Sequence, residues 1–592
     1  MQASQDKNAG RTTGREDLLF GTSRAGPGAK PRTHGLWISA AVAALTTGAA
    51  PAAFAAAAEP SNTTQIEEVV VTAQRRSENI QDVPVSVQAV SAAQIEREGV
   101  KQTADLARIT PNVTIALPSG EGSQPNITIR GIGLNDYNSN NAGPNGVYVD
   151  DVYISAPAAQ TFGLFDIDQI QVLKGPQGTL YGRNTSGGAL IFTSRRPTNS
   201  FSADVHAEYS SFSTYQIQAG VGGPIAEGLT GRLAFVVNHS DGFMHDLDTG
   251  DRENGADNQA VRAQLQYQPT DNLKLSLIAS YGHLDNSPAQ YKHYGAFQPG
   301  TQGDPEPVYC SIQQAYAGGC VNIFGYGTEK GFYQGRYEDF GNLKTRNSVN
   351  VARADYTMGP VTLTSITAYQ HSFRNHPEET DASPTDSLHL TFHVKADTWT
   401  QEFRAAYSEG PLNWVVGAYY LGEILKQSQP SQAFTDGDLY GAFGVPPGPG
   451  NFDGIASLSR NNNRQRTDSY ALFGQGDYKL GDFTLTLGGR YTHEKKDFEY
   501  FRTQQRQLGG RGNFGPIRIF IHNERELKDS NFTWRAALSY KPTDDILLYS
   551  SASTGFKSGG FHGGFLSSDP AQAAFQLTPI DPEKVTAYEA GF

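Results

Sequence analysis

The sequence predicts a mainly β protein in which a smaller α+β domain precedes a transmembrane antiparallel β-barrel. Three observations predict this class: a composition rich in Gly and aromatic residues, an alternation of apolar and polar residues from about residue 200 onward, and connections that are short and long in turn. The composition is typical of sheets and loops. The alternation and the connection lengths indicate that the sheet forms a membrane barrel.

The composition excludes several classes of protein. Of the 592 residues 64 are Gly, 11% are aromatic and only 18% are charged, whereas about 7% Gly and about 25% charged residues are usual. A mean hydropathy of -0.46 is too low for a bundle of membrane helices, which needs repeated apolar runs of roughly 20 residues. The net charge of -13 argues against a nucleic-acid partner, which normally meets a basic surface.

Residues 1–55 are predicted to be a secretory signal peptide. A basic stretch that ends at Arg32 leads into the short apolar run Leu36–Leu45, and Ala53-Phe54-Ala55 offers small residues at a cleavage site. The alternative is a single membrane anchor. The run is too short for that, because a helix rises 1.5 Å per residue and the hydrocarbon core is about 30 Å thick.

The two cysteines of the chain, Cys310 and Cys320, lie in a polar segment. An even pair in an exported protein favours a disulfide. A metal site is the alternative, but the nearest histidines, His283 and His293, do not have the spacing of ligands. We therefore expect a disulfide within a loop and no metal.

Residues 56–82 are predicted to be a flexible polar segment that contains one β-branched run, Ile66-Glu67-Glu68-Val69-Val70-Val71-Thr72-Ala73. Such a run has free backbone donors and acceptors, so it can add as a strand to the sheet edge of another protein. It could equally be the first strand of the next domain. The residues alone leave these two interpretations open.

Residues 83–197 are predicted to form a compact α+β domain. Ser91 begins a capping box that opens a helix over 92–99. Strands are expected at Val83–Ala89, Asn126–Arg130, Gly146–Val152, Ile167–Leu173 and Ala189–Thr193. The Gly-rich stretch 175–188 lacks the Gly-Lys-Ser/Thr ending of a phosphate-binding loop, so nucleotide binding is not expected.

From about residue 200 the chain alternates with a period of two. In the segment 483–494, Phe483, Leu485 and Leu487 alternate with polar residues such as Thr484 and Thr486. The pattern predicts about fourteen strands, each with one apolar and one polar face. Both a sheet half-buried in water and a membrane barrel with a wet lumen have such strands.

The lengths of the connections favour the barrel. Tight turns at 269–272, 479–482 and 542–545 alternate with long connections at 284–346, 372–397, 426–465, 495–530 and 554–583. An outer-membrane barrel has short periplasmic turns and long extracellular loops, and a soluble sandwich does not separate its loops in this way.

Together with the signal peptide and the run 66–73, three motifs resemble the TonB-dependent outer-membrane receptors, the siderophore receptors among them. The motifs are Ile129-Arg130-Gly131, Val147-Tyr148-Val149-Asp150-Asp151-Val152 and Val172-Leu173-Lys174-Gly175-Pro176-Gln177-Gly178-Thr179-Leu180-Tyr181-Gly182-Arg183-Asn184. The resemblance covers essentially the whole chain after the signal peptide.

The resemblance implies a plug domain over 83–197 inside a barrel that begins at 198 and has about 22 strands in full. The run 66–73 would then be the TonB box, which binds the periplasmic protein TonB and, through it, ExbB and ExbD. Only about fourteen strands are predicted between 198 and 592. Because an open edge in lipid leaves backbone groups unpaired, we expect the chain to be a C-terminally truncated form of a longer barrel.

In this family two plug motifs pair with two glutamates of the barrel. The matching positions here are Arg130 and Lys174 on the plug, with Glu402 and Glu589 on the barrel. Lys174 stands where Arg is usual, and a Lys offers a point charge in place of a bidentate fork. We expect that half of this plug–barrel latch to be looser. The alternative is that all four are ordinary charges of the lumen.

The function implied by the resemblance is active import, most naturally of a ferric siderophore or similar iron complex. The candidate ligand contacts lie at the apex of the plug: Asn135, Asp136, Tyr137 and Asn138. Cobalamin, oligosaccharides and aromatic compounds remain alternatives, as does a passive pore or adhesin. No enzyme is expected, since no catalytic triad or metal-ligand cluster stands out, and no cofactor. We expect a monomer in outer-membrane lipid.

Overall fold

The structure is a computed structural model. It describes residues 69–592 apart from 137, 161–163, 303, 305, 339–340, 381, 385–387, 434–456, 507–514 and 568. The predicted signal peptide, and positions 66–68 of the predicted TonB box, lie outside the described residues.

The first part of the described chain contains nine strands: β1 (Val70–Val71), β2 (Glu78–Asn79), β3 (Val87–Ser91), β4 (Val113–Ala116), β5 (Asn126–Ile129), β6 (Asn145–Val149), β7 (Val152–Tyr153), β8 (Ile167–Lys174) and β9 (Gly188–Ser194). Two α-helices lie among them, α1 (Ala92–Arg97) and α2 (Leu106–Ile109), with 3-10 turns at Ile80–Asp82, Thr103–Asp105 and Pro157–Ala159.

The later strands are β10 (Ser202–Ser210), β11 (Thr214–Ala226), β12 (Leu229–Ser240), β13 (Met244–Asp246), β14 (Arg252–Glu253), β15 (Ala256–Thr270), β16 (Leu273–Asn286), β17 (Gln334–Gly335), β18 (Leu343–Met358), β19 (Val361–Glu378), β20 (Leu388–Glu409), β21 (Leu412–Ala433), β22 (Ser457–Leu480), β23 (Phe483–Arg506), β24 (Arg518–Thr543), β25 (Ile546–Lys557) and β26 (Glu583–Gly591). Helices α3 (Ile312–Tyr316) and α4 (Pro570–Gln576) lie in loops.

The plug domain is built on a five-stranded sheet in the order β3-β8-β9-β6-β7. Only β6 and β9 run parallel; the other neighbours are antiparallel. The inner face of the sheet carries Val90, Ile170 and Leu190, all fully buried in one apolar cluster. Helix α1 begins where the capping residue predicts, because the Ser91 side chain accepts a hydrogen bond from the Gln94 amide.

Two predicted plug strands differ from the structure. The strand expected at Val83–Ala89 begins only at Val87, as β3, and a second one is interrupted by a turn. Gly146–Val152 was expected to be continuous, but the chain turns between β6 and β7. Asp150 and Asp151 occupy the turn with φ angles of 49° and 72°. Asp tolerates this left-handed region better than most residues. Because of the turn, the carboxylates of Asp150 and Asp151 reach residues of other elements, Ser194 and Arg75 respectively.

The large sheet contains fourteen strands within the described chain. All neighbouring strands in it are antiparallel, and they follow one another in sequence order except that β13, β14 and β17 are not part of the sheet. Those three form a separate small sheet. The predicted number of strands and the mainly antiparallel class are thus confirmed. The alternation was informative because it is a local property of each strand.

The two faces of the large sheet are opposite in character. Large apolar side chains on one face are exposed, among them Leu277, Leu472, Phe532 and Trp534. The other face turns polar side chains inward against the plug, among them Arg232, Arg262, Gln264 and Thr467. Apolar outside and polar inside is the arrangement of a transmembrane barrel.

Several connections predicted to be long are shorter in the structure. Residues 372–397 are mostly strand, since β19 continues to Glu378 and β20 begins at Leu388. Strands β23 and β24 likewise extend far into 495–530. In the extensions of β23 and β24 polar residues lie on both faces, so the alternation that reveals a strand is weak there. The start of β20 does alternate, with Leu388, Leu390 and Phe392 separated by polar residues, and that signal was missed.

Within the described residues, no helix has the length and apolar character required to span a membrane.

Candidate functional site

The described part of the predicted TonB box and the residues behind it, together the segment 69–82, are folded against the plug. Val70 and Val71 pair with Asn79 and Glu78, and the Thr72 amide donates to Gln171 Oε1 at 3.1 Å. Val71 is fully buried, whereas 48% of Val70 is exposed. The expectation of free backbone groups is therefore wrong for β1. Its backbone pairs with β2, and this pairing places the Val71 side chain in the interior.

Arg75 holds this segment to the plug. Its guanidinium lies between two aromatic rings, 5.2 Å from the centroid of Tyr148 and 4.3 Å from that of Tyr181. Its Nη1 is 2.9 Å from Asp151 Oδ1. The side chain is nearly inaccessible to solvent, so the ion pair and the two cation–π contacts act in a low-dielectric environment, where they are strongest.

Asp151 connects the segment, the plug and the barrel wall. Besides Arg75, its carboxylate meets Arg353 Nη1 of β18 at 2.7 Å and Arg404 Nη2 of β20 at 3.1 Å. Burial alone would raise the pKa of Asp151, but the charges of Arg404, Arg75 and Arg353 outweigh it and hold the pKa well below its usual range. The carboxylate therefore stays ionised.

Arg76 makes a second contact between the segment and the wall. It pairs with Glu78 at 2.9 Å and with Asp477 of β22. Arg75 and Arg76 thus hold one short stretch of chain at two different places. Sequence reasoning did not single out Arg75, Arg76 or Asp151, although Asp151 lies in the second of the motifs that carry the resemblance.

The structure brings together one half of the predicted latch. Arg130 Nη1 is 2.7 Å from Glu589 Oε2, and Tyr549 donates to Glu589 Oε1 at 2.6 Å. Gly175 has a φ of +92°, and a Cβ there would lie 3.1 Å from Arg130 Nη1. A side chain at that position would crowd the ion pair.

The other half is not brought together. Glu402 pairs with Arg404 of its own strand at 3.2 Å, and Lys174 has no ion pair with any described residue. Partial burial and the nearby Arg130 charge lower the pKa of Lys174. The charge of Glu402 interacts instead with that of Arg75. A cation of the N-terminal segment is thus near Glu402, where a plug cation was expected.

The sequence reasoning missed a buried ion pair between the plug and the barrel wall. Arg183 Nη1 is 2.6 Å from Glu494 Oε2, and Lys496 Nζ is 3.3 Å from Glu494 Oε1. All three side chains are less than 10% exposed. Arg183 belongs to the third motif of the resemblance, and its position there was the signal that could have identified it.

The predicted ligand contacts at the plug apex form a network of amides. Asn138 is buried, and its Oδ1 accepts from Gln429 Nε2 at 3.2 Å. Asp136 Oδ1 accepts from the Asn138 amide at 2.9 Å, and Asn126 donates to Asn135 Oδ1 at 2.9 Å. Tyr137 lies outside the described residues. The structure thus leaves Asn135 and Asp136 more accessible than Asn138.

The long connection 286–343 carries exposed aromatic side chains. Tyr294 meets Tyr316 edge to face with ring centroids 4.9 Å apart, and Phe332 meets Tyr333 in the same way at 4.9 Å. Cys310 and Cys320 are joined by a disulfide in the same connection.

Among the described residues one group has the composition of a metal site. Ligand atoms of Glu499, His522 and Glu524 lie within 4.8 Å of one another. The three side chains are partly or largely exposed, and His522 lies 3.3 Å from Glu499 as in an ion pair. Sequence spacing missed this group because the pairing of β23 with β24 creates it.

The fold and these contacts define an outer-membrane barrel with an internal plug. Family models match both parts: "TonB-dependent Receptor Plug Domain" matches residues 79–189, and "TonB dependent receptor-like, beta-barrel" matches residues 285–592. The chain belongs to the TonB-dependent receptor family. Members of this family are receptors and transporters rather than enzymes, and the chain is a protein of the Gram-negative outer membrane.

Individual relatives agree with this assignment. The chain is 30% identical over 207 residues to the pesticin receptor of Yersinia pestis, which covers 34% of this chain and 30% of the relative. It is 28% identical over 215 residues to the vitamin B12 transporter BtuB of Photobacterium profundum, covering 36% and 35%. The matches thus span about a third of the length of these relatives.

A solved structure shows the same fold. The ferric yersiniabactin uptake receptor FyuA from Yersinia pestis superposes with a TM-score of 0.67 at 20% identity, over 86% of this chain and 69% of that one.

Proposed function

We propose that this protein imports a ferric siderophore or a similar iron complex across the outer membrane by TonB-dependent active transport. The outer membrane has no ATP, so import against a gradient must obtain its free energy through contact with an energised partner. The proposed partner is TonB, acting with ExbB and ExbD, and the proposed contact is the TonB box at 66–73.

The observation that carries the proposal is the position of the segment behind the box. Through Arg75 it contacts Asp151, and through Asp151 it reaches Arg353 and Arg404 of the barrel wall. A pull on the box would act directly on the group that joins plug and wall. A passive pore or adhesin has no use for such a connection.

We further propose the domain organisation and the latch that follow from this function. Residues 1–55 act as signal peptide, 83–197 as plug and 198 onward as barrel. Arg130 with Glu589 forms the stronger half of the latch, since their distance of 2.7 Å is that of a charge-assisted hydrogen bond. Lys174 and Glu402 contribute less.

The exposed aromatic rings of the connection 286–343 and the amides of the apex support a cargo with aromatic or polar groups. Rings such as Tyr294 and Phe332 can stack on catecholates. The name of one solved relative, a ferric yersiniabactin uptake receptor, agrees with iron as cargo.

Growth on defined iron sources tests the function. Deletion of the gene should abolish growth on one ferric siderophore, and wild-type protein should restore it. Val70→Pro removes a backbone donor that strand addition needs, so it should fail to restore growth, while the control Val70→Ala should succeed. Uptake that survives Val70→Pro would contradict energised transport.

A second candidate is uptake of a ligand without iron, favoured by the likeness to a vitamin B12 transporter. Under that function the deletion strain would grow normally on every iron source and would fail on limiting cobalamin.

A further inference from the structure

The inner wall of the barrel is apolar in one region where a wet lumen would be polar. Val236, Ala260, Ile278 and Val351 come from the strands β12, β15, β16 and β18 and turn inward. Opposite them the plug presents Phe165, which belongs to the same cluster as Val236. The plug and the wall therefore meet here through apolar surfaces.

These surfaces do not fill the space between them. A cavity of about 140 Å³ remains, lined by Ile154 and Phe165 of the plug and by Ala260, Ile278 and Val351 of the wall. An apolar cavity of roughly 150 Å³ stays dry and accepts benzene in another protein. The size and lining of this cavity therefore suit one monocyclic aromatic molecule.

Polar side chains line part of the cavity, among them Asn258, near the start of β15, and Glu121, on a plug loop. The loop packs closely on the wall beside Glu121, because a Cβ added to Gly122 would lie only 2.6 Å from Leu343 and 2.9 Å from Leu284. An aromatic ring in the cavity would thus have polar partners at Asn258 and Glu121.

We propose that this cavity between plug and wall is a binding site for a monocyclic aromatic compound with one polar substituent, such as a phenol. The ring occupies the apolar part beside Ile278, and the hydroxyl hydrogen-bonds with Asn258 and Glu121. The site does not depend on TonB coupling, so binding can be tested apart from transport.

The test uses 4-fluorophenol with the full chain folded in detergent micelles, followed by fluorine NMR. Wild-type protein should give a bound resonance distinct from free and micellar ligand. Ile278→Phe fills the cavity and should abolish that resonance. Leu277→Phe is the matched control, because Leu277 is the neighbouring residue on the outer face and is 56% exposed; it should leave the resonance unchanged.

A second variant keeps the test informative if Ile278→Phe fails to fold. Asn258→Leu removes the polar group and should weaken binding about tenfold, the effect of one lost hydrogen bond. A resonance that persists in Ile278→Phe, or that is absent from wild-type protein, would overturn the proposal. Equal affinity in Asn258→Leu would overturn the assigned orientation of the phenol.

Discussion

Replacing Arg75 with Ala should release the segment 69–82 from the plug while leaving the barrel intact. The substitution removes the 2.9 Å ion pair with Asp151 and both cation–π contacts. It strands no buried anion, since Asp151 keeps Arg353 and Arg404. The expected loss is therefore that of the contacts themselves and not that of an unpaired charge.

The size of the effect follows from these contacts. A hydrogen bond to a charged group contributes about 1.5–3 kcal/mol, and cation–π contacts about 0.5–2 kcal/mol. Together they amount to about 2–5 kcal/mol for the docked segment. Because each 1.4 kcal/mol is a factor of ten, the population of the released form should rise about 30- to 4,000-fold.

Amide hydrogen exchange measures this release. Two amides of the segment report on docking: Thr72, which donates to Gln171 Oε1 at 3.1 Å, and Ile80, which donates to Val69 O at 2.9 Å. Their exchange should accelerate by the same factor as the population of the released form. Arg97→Ala is the control, because the Arg97 side chain is largely exposed and pairs with Glu98, which is not part of the segment. Exchange within about threefold of wild type would refute the docking role of Arg75.

Three further predictions concern the contacts between plug and barrel. Arg130→Ala should make the plug more susceptible to proteolysis, whereas Lys174→Ala should change its cleavage rate little, because only Arg130 pairs with Glu589; equal effects of the two substitutions would contradict this. Arg183→Ala should destabilise the plug by about 3–5 kcal/mol, the cost of breaking a buried pair, seen as a lower denaturant midpoint for plug exposure. The contribution of Asp151 to the stability of the folded plug should be complete above about pH 4, the unfolded-state pKa of an Asp, and should be lost as the pH falls toward the lower folded-state pKa of Asp151; a denaturant midpoint for plug exposure that is independent of pH in this range would contradict it.

The sequence predicted the strands of the large sheet well and the contacts between distant residues poorly. Alternation identified a strand such as 483–494 because each residue reports its own face of the sheet. The polar ends of β23 and β24 gave no such signal and were interpreted as loops. Residues 150 and 151 were assigned to a strand although Asp is rare in strands and common in turns, so here the apolar neighbours outweighed a turn signal that the sequence did contain.

The expected pairs show the same limit. In the structure Arg130 and Glu589 lie together, whereas Lys174 and Glu402 do not. Motif matching names residue types at positions, and a pairing depends on how the plug is seated in the barrel. Arg75 lies outside every matched motif, so nothing in the sequence indicated that its charge would interact with that of Glu402.

The sharing of Asp151 among three arginines has a consequence for how the segment can move. When Arg75 leaves, its guanidinium passes from a buried position into water, where a charge is well solvated, and the carboxylate that remains is still paired twice. A one-to-one buried pair would instead leave an uncompensated charge, at a cost of several kcal/mol. Release of the segment therefore leaves Asp151 joining the plug to the wall. Its cost lies in the contacts of Arg75, the burial of Val71, the Thr72–Gln171 hydrogen bond and the buried pair of Arg76 with Asp477. Under the proposed function, a partner that draws out the N-terminal segment would break these contacts and leave the connection at Asp151 in place.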